Sequence, residues 1–324
     1  MREGGAFFFP GQGVHTLGMA TDLVAAFPAA AAVFDAGQEI LGIDFRSVCK
    51  DGPEEELRST RLNQPAIFLH SMAVLEAVSS QLPGEHVAFC QGVPAAAVAG
   101  LSLGEYSALV FAGCLDFEAA LRIVGARGEF MQKACDAEAG AMISVTGLKS
   151  EAVEAAVAVA RDEGLRVGVA NYNSDSQTVV SGARDDVGVV GERLQEAGAK
   201  RVIALDVAGA YHSELMAPAT AELEPLLREV EIRRPRVPFY SNTAGARVED
   251  PEEIREGLIR QVESSVRWAQ ILATLIADGL TTGYEVGPGK VIRGLVRNMS
   301  RDVKIAPLGT CDDLEKLETT TFAG

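Results

Sequence analysis

The pentapeptide Gly100-Leu101-Ser102-Leu103-Gly104 restricts the fold of this chain more than any other stretch. It follows the apolar run 95–99, which reads as a strand, and leads into residues 106–112, which read as a helix. Ser102 therefore stands at a strand-to-helix junction, the setting of a nucleophile elbow. Glycines two positions before and two after it permit a tight, strained turn that lifts the hydroxyl above the end of a sheet. The first amides of the helix point at the same place, so an oxyanion formed there meets donors and a favourable dipole end. In a chain with 33 glycines the pattern by itself also fits small residues that let a helix pack closely on a strand, and other segments must decide.

Those segments alternate. Ala6–Phe9 reads as a short buried strand running into Pro10-Gly11-Gln12-Gly13, a loop whose glycines permit close backbone approach. The third glycine and the acidic residue of a dinucleotide fingerprint are missing there. Thr21 is read as the cap of one helix through residue 40, kinked at Pro28, and Pro65 as part of the first turn of an apolar helix to residue 82. Asp116 caps a long helix through residue 134. The rhythm changes at residues 138–206, where strands and helices follow in the order β-α-β-β-α-β, the split unit of a ferredoxin-like domain. Alternation then resumes to residue 308, and the polar tail from Asp312 is expected to fray. The expected fold class is α/β. A hydrolase-like large subdomain (1–137 and 207–324) carries a parallel sheet and the elbow, and a ferredoxin-like small subdomain (138–206) is inserted into it. Gly287-Pro288-Gly289-Lys290 departs from a phosphate-loop pattern and reads as a turn.

Composition excludes several functions. A net charge of −16 argues against general nucleic-acid binding, though a local basic groove for a phosphorylated ligand is compatible with it. No apolar run approaches membrane-spanning length, and Ala6–Phe9 is too short for a signal core, so a cytoplasmic protein is expected. Five scattered cysteines without metal spacing read as reduced packing residues, so no metal is expected.

A serine needs a base. Of the four histidines, His86 falls in a polar loop, His70 in an apolar helix as a core residue, and His15 just past the Gly-Gln-Gly loop. His212 remains, in a Gly-rich junction after a strand and following the serine in chain order. On this ground alone a structural turn histidine stays open.

Phe9 to Gly13, Asn63-Gln64-Pro65-Ala66, Gly100 to Glu105, Arg127 to Gln132, Gly209 to Met216, Gln261 to Trp268 and Tyr284 to Gly289 occur in an order that resembles the malonyl-CoA:acyl carrier protein transacylases, including the stand-alone acyltransferases of polyketide synthases. The resemblance spans about residues 5–310. It implies Ser102 as nucleophile, His212 as base, the Gln261 carbonyl as orienter of His212, and the Gln12 and Leu103 amides as oxyanion hole. It implies Arg127 as the clamp for a malonyl carboxylate, since a guanidinium grips a carboxylate through two parallel bonds. Gln64 and Asn173 fall in segments that resemble gorge-lining stretches. Leu101 stands where the family usually has histidine, as in acyltransferases that resemble those of polyketide assembly lines. Gly209-Ala210-Tyr211-His212 is closer to malonyl-type than to methylmalonyl-type patterns.

The function so implied is malonyl transfer from malonyl-CoA to an acyl carrier protein, with no tightly bound cofactor and a monomer expected. An acyl hydrolase that clears stalled carriers and a silent carrier-docking scaffold are the alternatives. The anionic carrier would be met by local positive charge at Lys200 and Arg201 and at Lys290, Arg293, Arg297 and Arg301, which recur near one helix face.

Overall fold

The computed structural model describes residues 5–82, 87–91 and 93–317; His86 lies outside these. Strands β1 (Ala6–Phe9), β2 (Ala97–Gly100), β3 (Gly140–Thr146), β4 (Val167–Ser174), β5 (Gln177–Ala183), β6 (Arg201–Ala204), β7 (Phe239–Ser241), β8 (Ala246–Val248), β9 (Thr282–Val286) and β10 (Lys304–Leu308) form two sheets.

The larger sheet has the order β10-β9-β1-β2-β7-β8. Every pairing from β10 to β7 is parallel, and the hairpin β7–β8 closes one edge. β1 is an unbroken apolar run because both of its faces are covered. Phe7 stacks on Phe111 with ring centroids 4.6 Å apart, while Phe8 meets Trp268 edge-on at 5.8 Å on the opposite face. Candidate site residues follow the carboxyl ends of these parallel strands. Gln12 follows β1, Ser102 follows β2 and Asn242 follows β7, at the edge where open α/β sheets bind ligands.

The smaller sheet is antiparallel, in the order β4-β5-β3-β6. Helices Ser150–Asp162 and Arg184–Glu196 pack against it around Val153, Val180, Val190 and Leu194. With its β-α-β-β-α-β chain order this is the ferredoxin-like arrangement. The protein thus has the expected two-subdomain α/β fold. Edge strand β4 is tied to the larger unit: Tyr172 N–H donates to the Val266 carbonyl at 2.9 Å and Val266 N–H to the Ala170 carbonyl at 2.8 Å.

Four local expectations change. Thr21–Ala26 and Pro28–Leu41 are separate helices, since Phe27 is extended ahead of the proline (φ −121°, ψ 112°), as steric conflict with a following proline favours. Pro65 lies well inside helix Thr60–Ser79. That helix starts earlier because Asn63 N–H donates to Ser59 O at 2.8 Å and Gln132 Oε1 accepts the Thr60 N–H at 2.9 Å. β8 was not foreseen, being three residues long and largely exposed. The start of the tail is helical over Cys311–Glu315, capped by the Thr310 hydroxyl, and residues 318–324 lie outside the described residues.

Candidate active site

The elbow glycines are sterically required. A Cβ on Gly100 would lie 1.9 Å from the Gly104 carbonyl carbon, and one on Gly104 would lie 2.2 Å from the Phe9 oxygen. Ser102 adopts φ 52°, a conformation that costs about 1–3 kcal/mol for a residue with a side chain. Asn242 holds it there. Its Oδ1 accepts the Ser102 N–H at 2.6 Å, and its Nδ2 donates to the Gly100 carbonyl at 2.6 Å. The Asn242 N–H in turn donates to Glu105 Oε1 at 3.1 Å. Asn242 and Glu105 were not singled out from the sequence.

Ser102 Oγ lies 2.9 Å from His212 Nε2. On the far side of the ring, Nδ1 lies 2.9 Å from the Gln261 carbonyl and 3.0 Å from that of Ser264. Carbonyl oxygens only accept, so Nδ1 carries the proton and Nε2 is left to accept from the serine. The Ser264 carbonyl is an acceptor that sequence reasoning missed. Both carbonyls belong to the segment that β4 holds through Val266. Burial, helped by the positive charge of Arg127 and opposed by the two carbonyls, holds His212 down to about 4. The imidazole is therefore neutral near neutral pH, with Nε2 free to accept a proton.

Arg127 is among the largest fully buried side chains. Its Nη1 donates to Gln64 Oε1 at 2.5 Å, and its Nη2 donates to Gln261 Oε1 at 2.9 Å and to Ser102 Oγ at 3.1 Å. Among the described residues no carboxylate lies within 4.0 Å of it. Burial pulls its pKa down, opposed by Tyr106, over whose ring it sits at 5.7 Å, and by Glu105. A buried cation with no carboxylate in direct contact is costly and favours an anion beside it.

The loop after β1 borders the elbow on its other side. A Cβ on Gly11 would lie 2.6 Å from the Leu101 oxygen, so the loop lies against the elbow. Among the described residues no acceptor takes the backbone N–H of Gln12 or Leu103. Gln12 Oε1 accepts from Gln64 Nε2 at 3.3 Å, and Gln12 Nε2 donates to the Tyr211 hydroxyl at 3.2 Å.

Ser102, His212, Gln261, Arg127, Gln64 and Gln12 are thus joined in one hydrogen-bonded cluster, beside Leu103. Asn173 sits on β4 with a buried Oδ1 that has no partner, outside this cluster. Lys200, Arg201, Lys290, Arg293, Arg297 and Arg301 are all exposed. The helix spans only Val291–Met299, so Lys290 precedes it and Arg301 follows it. A cavity of about 390 Å3 between Tyr172 and helix Trp268–Ala277 takes in none of the cluster.

Compared with known families, residues 6–312 match the acyl transferase domain. The chain belongs to that family. The acyl transferase domain here is 40% identical over 310 residues to the malonyl CoA-acyl carrier protein transacylase of Bacillus subtilis strain 168, covering 96% of this chain and 95% of the relative. An acyl carrier protein S-malonyltransferase from Vibrio cholerae superposes with a TM-score of 0.88 at 38% identity, covering 96% of this chain and 98% of the other. A malonyl-transacylase solved in complex with its type II polyketide synthase acyl-carrier protein superposes at 0.89 and 34% identity, with 99% of each chain covered. The protein is an acyltransferase. Among the described residues no helix is long and apolar enough to cross a membrane.

Proposed function

We propose that this acyltransferase moves a malonyl group from malonyl-CoA to the phosphopantetheine thiol of an acyl carrier protein, through a Ser102 ester, for fatty-acid or polyketide biosynthesis. The observation that carries the choice of acyl group is Arg127, buried, without a carboxylate and 3.1 Å from the nucleophile. A malonyl carboxylate would supply the missing charge, and an acetyl group would not. The names of the Bacillus and Vibrio relatives point the same way.

His212 Nε2 takes the proton from Ser102 Oγ as the oxygen attacks the thioester carbonyl. The Gln12 and Leu103 amides receive the oxyanion. The carbon–sulfur bond breaks and His212 returns the proton to the departing coenzyme A sulfur. In the second half the carrier thiol gives its proton to His212 and attacks the ester, and Ser102 leaves with that proton. A hydrolase is disfavoured because general ester hydrolysis needs no buried arginine beside the serine. A silent scaffold would not need the Ser102–His212 contact.

In this reading the subdomain boundaries fall at residues 138 and 206, and Asn173 lines the gorge. The carrier docks against Lys200 and Arg201 on one subdomain and Lys290 and Arg293 on the other. No tightly bound cofactor takes part, and the enzyme works in the cytoplasm as a monomer. The test is the rate of Ser102 acylation by malonyl-CoA and by acetyl-CoA in wild type and Arg127→Ala. The malonyl-to-acetyl ratio should fall by on the order of thirtyfold or more as the carboxylate loses its partner. Equal falls in both rates would make Arg127 a folding residue.

A further inference from the structure

The Gln261 side chain faces two different neighbourhoods. Its Nε2 donates to Glu105 Oε2 at 2.5 Å and to the Ser102 carbonyl at 3.0 Å. Its Oε1 accepts from Arg127 Nη2 at 2.9 Å, the same nitrogen that reaches Ser102 Oγ at 3.1 Å. Its backbone carbonyl accepts from His212 Nδ1. One residue therefore touches the base, the arginine and the peptide of the nucleophile.

An amide can stand either way round, and here the neighbours on both sides agree. The Ser102 carbonyl and an ionised Glu105 can only accept, so both amide hydrogens are drawn to their side. Oε1 must then face Arg127. The reversed amide would set acceptor against acceptor on one side and donor against donor on the other, with every group buried. Glu105 is itself 2% exposed and is anchored through Oε1 by the Asn242 N–H.

We propose that Glu105 is a positioning residue that anchors the Gln261 amide through its carboxylate and thereby holds Arg127 for the substrate carboxylate. This rests on the reading of Arg127 as the carboxylate partner. A merely structural glutamate would be replaced without loss by glutamine, which keeps the shape and an oxygen for the Asn242 N–H. A glutamine that keeps its oxygen on the Asn242 N–H, however, turns its own amide donor towards Gln261 Nε2, so that bond is lost and the Gln261 amide loses its anchor.

The charge on Glu105 also titrates within reach. Burial pushes its carboxyl up to about 7, against hydrogen bonds from Gln261, Asn242 and Ser241 and the positive charge of Arg127. Those groups come from helix Pro251–Gln261, from β7 and the residue after it, and from helix Phe117–Ala137; Tyr106 adjoins it on its own helix. The malonyl-to-acetyl acylation ratio isolates this effect, because any change in His212 basicity enters both rates alike.

The experiment measures that ratio in wild type, Glu105→Gln and Arg127→Ala, with thermal midpoints alongside. Glu105→Gln should lower it by about tenfold with a near wild-type midpoint. The wild-type ratio should fall as pH is lowered through about 7, while that of Glu105→Gln stays flat. A folded Glu105→Gln with the wild-type ratio, beside an Arg127→Ala that has lost it, overturns the role of Glu105 alone. An unchanged ratio in Arg127→Ala overturns the carboxylate partner and the proposal with it. Should Glu105→Gln not fold, Gln261→Met removes the amide and keeps the carbonyl on His212, and a wild-type ratio in that variant overturns the proposal.

Discussion

His70 and His212 share the same dry interior, and burial holds both imidazoles down to about 4. They differ in which nitrogen meets a carbonyl. His70 donates from Nε2 to the Gly309 carbonyl at 2.8 Å, and its Nδ1 has no partner. His212 donates from Nδ1 to two carbonyls, which leaves Nε2 facing the Ser102 hydroxyl at 2.9 Å. Desolvation sets the charge of each ring and the carbonyl sets its tautomer. In the proposed mechanism, what makes one of them a base is only the group in front of the remaining nitrogen.

The largest effect should come from breaking that contrast at one ring. His212→Ala should slow Ser102 acylation by on the order of a hundredfold or more, and His70→Gln should leave it within a few-fold of wild type while lowering the unfolding midpoint. Comparable losses of acylation in the two variants would contradict the assignment of the base.

A smaller effect is common to both rings. Each has a folded pKa of about 4 against an ordinary value of 6.5. The unfolded chain therefore binds more protons between those values, and the stability gained from burying neutral rings is present above about 6.5 and drains away towards 4. Glu105 has the opposite sign, since its carboxyl is raised to about 7 and its contribution fades as pH rises through that value. Denaturation of His70→Gln should show an acid limb shallower by about one proton than wild type, and an identical slope would mean that His70 does not titrate on unfolding.

The smallest effect belongs to groups in water. Arg201→Glu and Arg293→Glu should raise the Michaelis constant for the carrier about three- to tenfold at low salt and flatten its salt dependence, with acylation by malonyl-CoA changing less. Unchanged carrier kinetics in both would move the docking surface elsewhere.

How much of this was legible in sequence depended on distance along the chain. The elbow was, because Gly100, Ser102 and Gly104 constrain one another locally, and so was the ferredoxin-like unit, whose strands and helices alternate in short order. His212 was reached by elimination and by resemblance. Arg127 came from resemblance alone, since a helical arginine is ordinarily a surface residue, and nothing local signals that it is buried. Asn242 and Glu105 escaped notice because their partners lie far off in sequence: Asn242 meets Ser102 140 positions away, and Glu105 meets Gln261 156 positions away. The first pair exists only once β2 and β7 lie side by side, and the second only once the end of helix Pro251–Gln261 meets the helix after the elbow. Pro28 was read as a kink where its clash with Phe27 ends one helix outright, and the early start of the helix around Pro65 was missed because the hydrogen bonds that decide a helix end carry little pattern in sequence.

The central claim is that Ser102, activated by His212, carries an acyl group chosen for its carboxylate. Intact mass spectrometry after mixing with malonyl-, methylmalonyl- and acetyl-CoA tests it most directly. One malonyl adduct is expected on the wild type, with a much slower acetyl adduct and no adduct on Ser102→Ala. A malonyl adduct of undiminished yield on Ser102→Ala would contradict it, and so would an acetyl adduct that forms as fast as the malonyl one.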